Sequence, residues 1–144
     1  VKRVLLAAVL LASCSKGGPA DIEISNAWAR ETVAGQTSTA AYMTLANNGS
    51  GDDRLLSVAA EAPAMAMLHS SESADGVARM RAMTSGLAIP AGTRIELKPG
   101  GSHVMVSGLP APLRVGQTLN LTLTFEGSGK RSVPLKIVAA NEAR

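Results

Sequence analysis

The chain has 144 residues, 46% of them hydrophobic and 17% charged, enough to bury a core and too apolar for wholesale disorder. Aromatics make up 2%, namely Trp28, Tyr42 and Phe125, which leaves no row of stacking platforms for single-stranded nucleic acid. The net charge of +3 falls to +1 once Lys2 and Arg3 are set aside with the leader described next, so no nucleic-acid partner is expected.

Lys2-Arg3 followed by the unbroken apolar run Val4–Ala12 reads as a secretory leader over residues 1–13. The run is far short of the ~20 residues that span a bilayer. It ends in Leu11-Ala12-Ser13-Cys14, which resembles the lipobox of bacterial lipoproteins, where the cysteine becomes the lipidated first residue. Residues 14–20 are then the lipidated Cys14 and a flexible Ser-Lys-Gly-Gly-Pro tether. With Ser15 after the cysteine, that resemblance implies outer-membrane sorting in a cell that has an outer membrane. Cys14 is the only cysteine, so the exported body has no disulfide and no free thiol.

Residues 21–144 form one domain without repeats or an internal linker. Period-two and β-branched runs predict strands at Ile22–Ala27, Thr37–Ala46, Arg54–Ala60, Met65–Ser71, Val77–Met83, Thr93–Leu97, Val104–Val106, Thr118–Phe125 and Arg131–Ala139. Asn47–Asp52, Glu72–Gly76, Lys98–Gly101 and Glu126–Lys130 read as turns, the last closing a hairpin, and Thr84–Gly92 as a connection. Many short strands predict an all-β fold, a sandwich or Greek-key barrel. Trp28 is expected to be half-buried and structural.

No nucleophile elbow, P-loop, dinucleotide turn or H-E-x-x-H occurs, so no enzyme activity is indicated. What stands out is the distribution of soft donors. Both histidines and five of the six methionines fall between positions 65 and 105, with only Met43 outside. His103 and Met105 lie two apart, on one face of a strand; Met65, Met67 and His69 share another such phase, and Met83 has the phase opposite to Met80. Methionine is a common core filler. Its concentration around two histidines in a thiol-free exported body nevertheless points to copper, since thioether sulfur is soft, uncharged and suited to Cu(I), while imidazole serves Cu(I) or Cu(II).

His69, ten residues, Met80, then His103-Val104-Met105 resembles the signature of the periplasmic copper chaperone family PCuAC, which is a His or Met, ten residues, a Met, about twenty-one residues and His-x-Met. Asn26–Arg30, Ala40–Asn47, Asp52–Leu55, Val77–Arg81, Ile89–Gly92 and Leu97–Met105 extend the likeness over roughly residues 22–139. Two features depart from it. Met80 and His103 are separated by 22 residues, and Ser102 stands where the family commonly has an aromatic.

The resemblance implies a single cupredoxin-like antiparallel β-sandwich that binds Cu(I) through His69, Met80, His103 and Met105. Met67 and Met83 are reserve candidates, Met67 the stronger because it shares the phase of His69. It also implies handover to an acceptor cuproprotein such as cytochrome c oxidase, or to another copper chaperone. The chain is expected to be a monomer that meets the membrane through its lipid alone. The competing readings are a lipid-anchored β-sandwich adhesion or assembly module with core methionines, and a secreted copper enzyme. Against the enzyme, no candidate base or nucleophile accompanies the donors.

Overall fold

The described residues form ten strands, several with alternating burial: β1 (Ile22–Arg30), β2 (Ser38–Asn47), β3 (Asp53–Ala60), β4 (Met65–Ala74), β5 (Val77–Ala82), β6 (Leu87–Ile89), β7 (Arg94–Leu97), β8 (His103–Ser107), β9 (Thr118–Phe125) and β10 (Gly129–Val138). The computed structural model describes residues 17–142. The leader and Cys14 lie outside the described residues. No helix occurs among them, as the sequence predicts.

Hydrogen bonding runs without a break along β5-β4-β8-β2-β1-β10-β9-β3-β6, and β7 also pairs β2. Strand β2 is shared lengthwise, with Ser38–Ala41 on β8 and Met43–Ala46 on β7. Strand β1 is antiparallel to β2 and parallel to β10 through Trp28–Arg30. Its register shifts between Ser25 and Trp28, where Asn26 takes φ 52°. Such a bulge bends a strand, and the sheet closes over a shared interior. Leu68, Val104 and Val106 from β4 and β8 belong to the same buried cluster as Leu55, Leu121, Leu123, Leu135 and Ile137 from β3, β9 and β10. This is the expected sandwich.

Local details depart from the sequence reading. Strand β1 continues past Ala27 to Arg30, and the turn after β4 is only Asp75-Gly76, both with positive φ, as a two-residue hairpin turn requires. The connection from Thr84 to Gly92 contains β6, which pairs β3. Gly86, at φ 72°, leads into it; a Cβ there would run into the Leu55 carbonyl.

Two buried polar side chains fix the loops that the core does not reach. Asn47 is 1% exposed and fully partnered: Nδ2 donates to the Gly51 and Ile89 carbonyls at 2.8 and 3.0 Å, and Oδ1 accepts from the Asp21 and Gly49 amides at 3.2 and 3.1 Å. It ties the start of the fold, the loop after β2 and β6 to one point. Asp53 does the same for the β9–β10 hairpin, accepting from the Arg54 and Gly127 amides at Oδ1 and from the Ser128 amide and hydroxyl at Oδ2, the last at 2.6 Å.

Burial pushes the Asp53 carboxyl up. The bonds from the Ser128 hydroxyl and from the Gly127, Arg54 and Ser128 amides outweigh it and hold the group below the ordinary carboxylate value of 3.8. A lowered folded value means stability that is present above the ordinary value and lost as the pH falls through the lowered one. Asp53→Asn should therefore unfold more easily than wild type at pH 7, by about 2 kcal/mol, and the gap should close in strong acid. Urea unfolding across pH checks this; a gap that does not narrow would show that ionised Asp53 contributes nothing.

Candidate metal centre

Strands β4 and β8 run antiparallel, with Met65 opposite Ser107, Met67 opposite Met105 and His69 opposite His103. The alternate residues Leu68, Val104 and Val106 point into the core. Met65, Met67, His69, His103 and Met105 therefore share the other face. Side chains directly opposite have Cβ atoms about 5 Å apart, so β4 and β8 present a histidine rung beside a methionine rung.

The two imidazoles are 5.8 Å apart between ring centroids, at 74°. His103 is buried, and its Nδ1 lies 3.1 Å from the Gly101 carbonyl. A carbonyl only accepts, so this contact selects the Nδ1–H tautomer and leaves Nε2 bare as a donor to a metal. The same carbonyl accepts from the Ser71 amide at 3.3 Å, tying β4 to the turn before β8. His69 is half-buried, and its Nδ1 is buried without a hydrogen-bond partner. A buried, unpartnered imidazole nitrogen is costly unless something else takes its lone pair, and a metal ion does so.

Met80 lies on the edge strand β5, opposite Ser71, two residues along β4 from His69, and is 59% exposed. It therefore shares the donor face but sits diagonally outside the four-residue block. Met83 packs against the core on the opposite side, away from the donors, and Met43 is buried in the core. Of the four residues predicted as ligands, register thus gathers His69, His103 and Met105 tightly and places Met80 at the solvent edge. Met67, held in reserve, is the residue directly across from Met105. Among the described residues no three of His, Cys, Asp or Glu converge; imidazole and thioether do.

An aromatic row continues from the histidines, which no spacing in the sequence announces. Tyr42 lies 6.4 Å from His103 between ring centroids and 4.5 Å from Trp28, its cross-strand partner. Tyr42 is buried and Trp28 half-buried, as expected for Trp28. The row Trp28–Tyr42–His103–His69 crosses β1, β2, β8 and β4 and sets aromatic surface against the His103 side of the imidazole pair. A cleft of about 960 Å³ lies beyond Trp28 along β1, β2, β7 and β10, and none of the expected ligands lines it.

Residues 22–137 match the family model LpqE-like, described as "Putative lipoprotein LpqE-like". "Putative lipoprotein Lxx21020" of Leifsonia xyli subsp. xyli is 39% identical over 124 residues, covering 84% of this chain and 74% of that one. Among solved structures, the copper-bound PCuAC domain from PmoF2 is similar with a TM-score of 0.68 at 24% identity, over 86% of this chain and 97% of that domain. The solution structure of CuI-DR1885 from Deinococcus radiodurans is similar with a TM-score of 0.64 at 28% identity, over 92% and 87%. The PCuAC resemblance seen in the sequence meets PCuAC domains in the fold.

The His103 tautomer can be read directly. Long-range ¹H–¹⁵N correlation of the metal-free protein above neutral pH is expected to show the His103 proton on Nδ1 and bare Nε2. A proton on Nε2 would contradict the Gly101 contact.

Proposed function

The chain belongs to the LpqE-like family, and from that premise we propose that it is an extracytoplasmic copper chaperone holding Cu(I) through His69, Met80, His103 and Met105. The observation that carries this is the β4–β8 register, which sets His69 against His103 and brings Met105 to the next rung. The likeness to CuI-DR1885 supports the same metal in the same oxidation state.

All four donors are uncharged when they bind, so the complex keeps the single positive charge of the ion. Soft thioethers favour Cu(I) over harder divalent ions, and they need no deprotonation. Two imidazoles on rigid neighbouring strands hold the ion with little ordering cost. Met80 closes the set from the exposed edge, where an incoming donor can displace it first. The site therefore suits handover to a thiolate- or imidazole-bearing acceptor, cytochrome c oxidase or another chaperone among them. In this reading the chain is a carrier of copper and not an enzyme.

The leader at residues 1–13 and acylated Cys14 would place this carrier at the cell envelope on a tether of residues 14–20, followed by one copper-binding domain over residues 21–144. The lipoprotein name of the Leifsonia relative supports that placement. The protein works as a monomer.

Anaerobic titration against a chromophoric Cu(I) chelator tests the ligand set. Wild type is expected to take one ion tightly, and His69→Ala, His103→Ala, Met80→Leu and Met105→Leu each to weaken it by roughly tenfold or more, ~1.4 kcal/mol. Leucine preserves the methionine volume, so a weakened Leu variant with an unchanged circular dichroism spectrum reports lost sulfur. Wild-type affinity in Met80→Leu and Met105→Leu would refute the set, and absence of Cu(I) binding in wild type would refute the function.

A further inference from the structure

Two methionines on the donor face are left without a task by this ligand set. Met65 and Met67 are 66% and 52% exposed. They lie on β4 in the phase of His69, and Met67 is directly opposite Met105. The core does not use them: they point away from Leu68, Val104 and Val106, and the buried cluster contains neither. Burying a large apolar side chain stabilises a fold, and these two, mostly exposed, forgo most of that gain. Met65 faces Ser107, Met67 faces Met105, and beyond Met105 on β2 stands Ala40. Met67 lies one rung from the histidines, ~7 Å along the strand, and Met65 two rungs, ~13 Å.

We propose that Met65 and Met67 form a second, outer Cu(I) site, an all-thioether stage on which the ion lands before it moves to the histidine rung. The proposal rests on the copper reading above and adds a site to it. Its ligand is a soft monovalent cation, since two neutral sulfurs offer nothing to a hard ion. Passage inward is ligand exchange along the ladder. The bonds from Cu(I) to the Met65 and Met67 sulfurs break, Met65 first, as the bonds to Met105, His69, His103 and Met80 form. The ion remains Cu(I), the sulfurs remain thioethers, and no electron or proton moves. The outer site is the weaker of the two, because it lacks imidazole and stands open to water. It fills second at equilibrium and is visited first in transfer.

The test is an anaerobic Cu(I) titration of the full chain, followed through the methyl signals of the six methionines labelled with ¹³C. The first equivalent is expected to shift Met80 and Met105, the second Met65 and Met67, while core-buried Met43 stays put as an internal reference. The double variant Met65→Leu/Met67→Leu, altered only at exposed positions, should keep the first equivalent and lose the second. Met65 and Met67 signals unmoved at two equivalents, or a double variant that binds two ions as wild type does, would overturn the outer site while leaving the inner one standing. Failure of the first equivalent to move Met80 and Met105 would instead overturn the ligand set on which the outer site depends.

Discussion

The antiparallel pairing of β4 with β8 is the constraint on which the site depends. Because side chains alternate, one choice of register puts both histidines and three methionines on a common face and Leu68, Val104 and Val106 in the core. A slip of one residue would turn the donors inward and the aliphatic residues out to water. Burial of those aliphatic side chains, the same hydrophobic effect that closes the sandwich, therefore also sets the donor geometry.

The rest of the sheet holds that pair in place. Strand β2 lies against β8 and carries Tyr42 and Ala40 to the donor face; β1 adds Trp28 behind Tyr42. The Gly101 carbonyl bonds both the Ser71 amide and the His103 ring, so the turn before β8 fixes strand register and imidazole orientation together. Elsewhere in the fold, Asn47 and Asp53 gather loops by satisfied buried polar groups, while every residue of the edge strand β5 is exposed. In the proposed ligand set, His69 and His103 would retain the ion on paired strands, and Met80, on the exposed edge strand, would be the first to let go.

Much of this was legible in the sequence because strand formation and facing follow from a period of two. The strand positions and the shared phases of His103 with Met105 and of Met67 with His69 are all local properties. Strand β6 escaped because three residues, Leu87–Ile89, are too few to show a period, and only pairing with β3 defines them. The apposition of His69 with His103, and of Met67 with Met105, depends on register between strands 34 residues or more apart in sequence. So does the row from Trp28 to His69. Asn47 looked like a turn residue and Asp53 like the residue after that turn, and their burial could be known only once distant loops had been brought to them.

X-ray absorption at the copper edge of the Cu(I)-loaded full chain tests most directly whether this register builds a mixed imidazole–thioether site. One bound ion is expected to show sulfur scatterers together with the outer-shell pattern of imidazole rings, and to lose the imidazole pattern in large part in His103→Ala. A bound ion surrounded by nitrogen and oxygen alone, or a spectrum unchanged in His103→Ala, would contradict it.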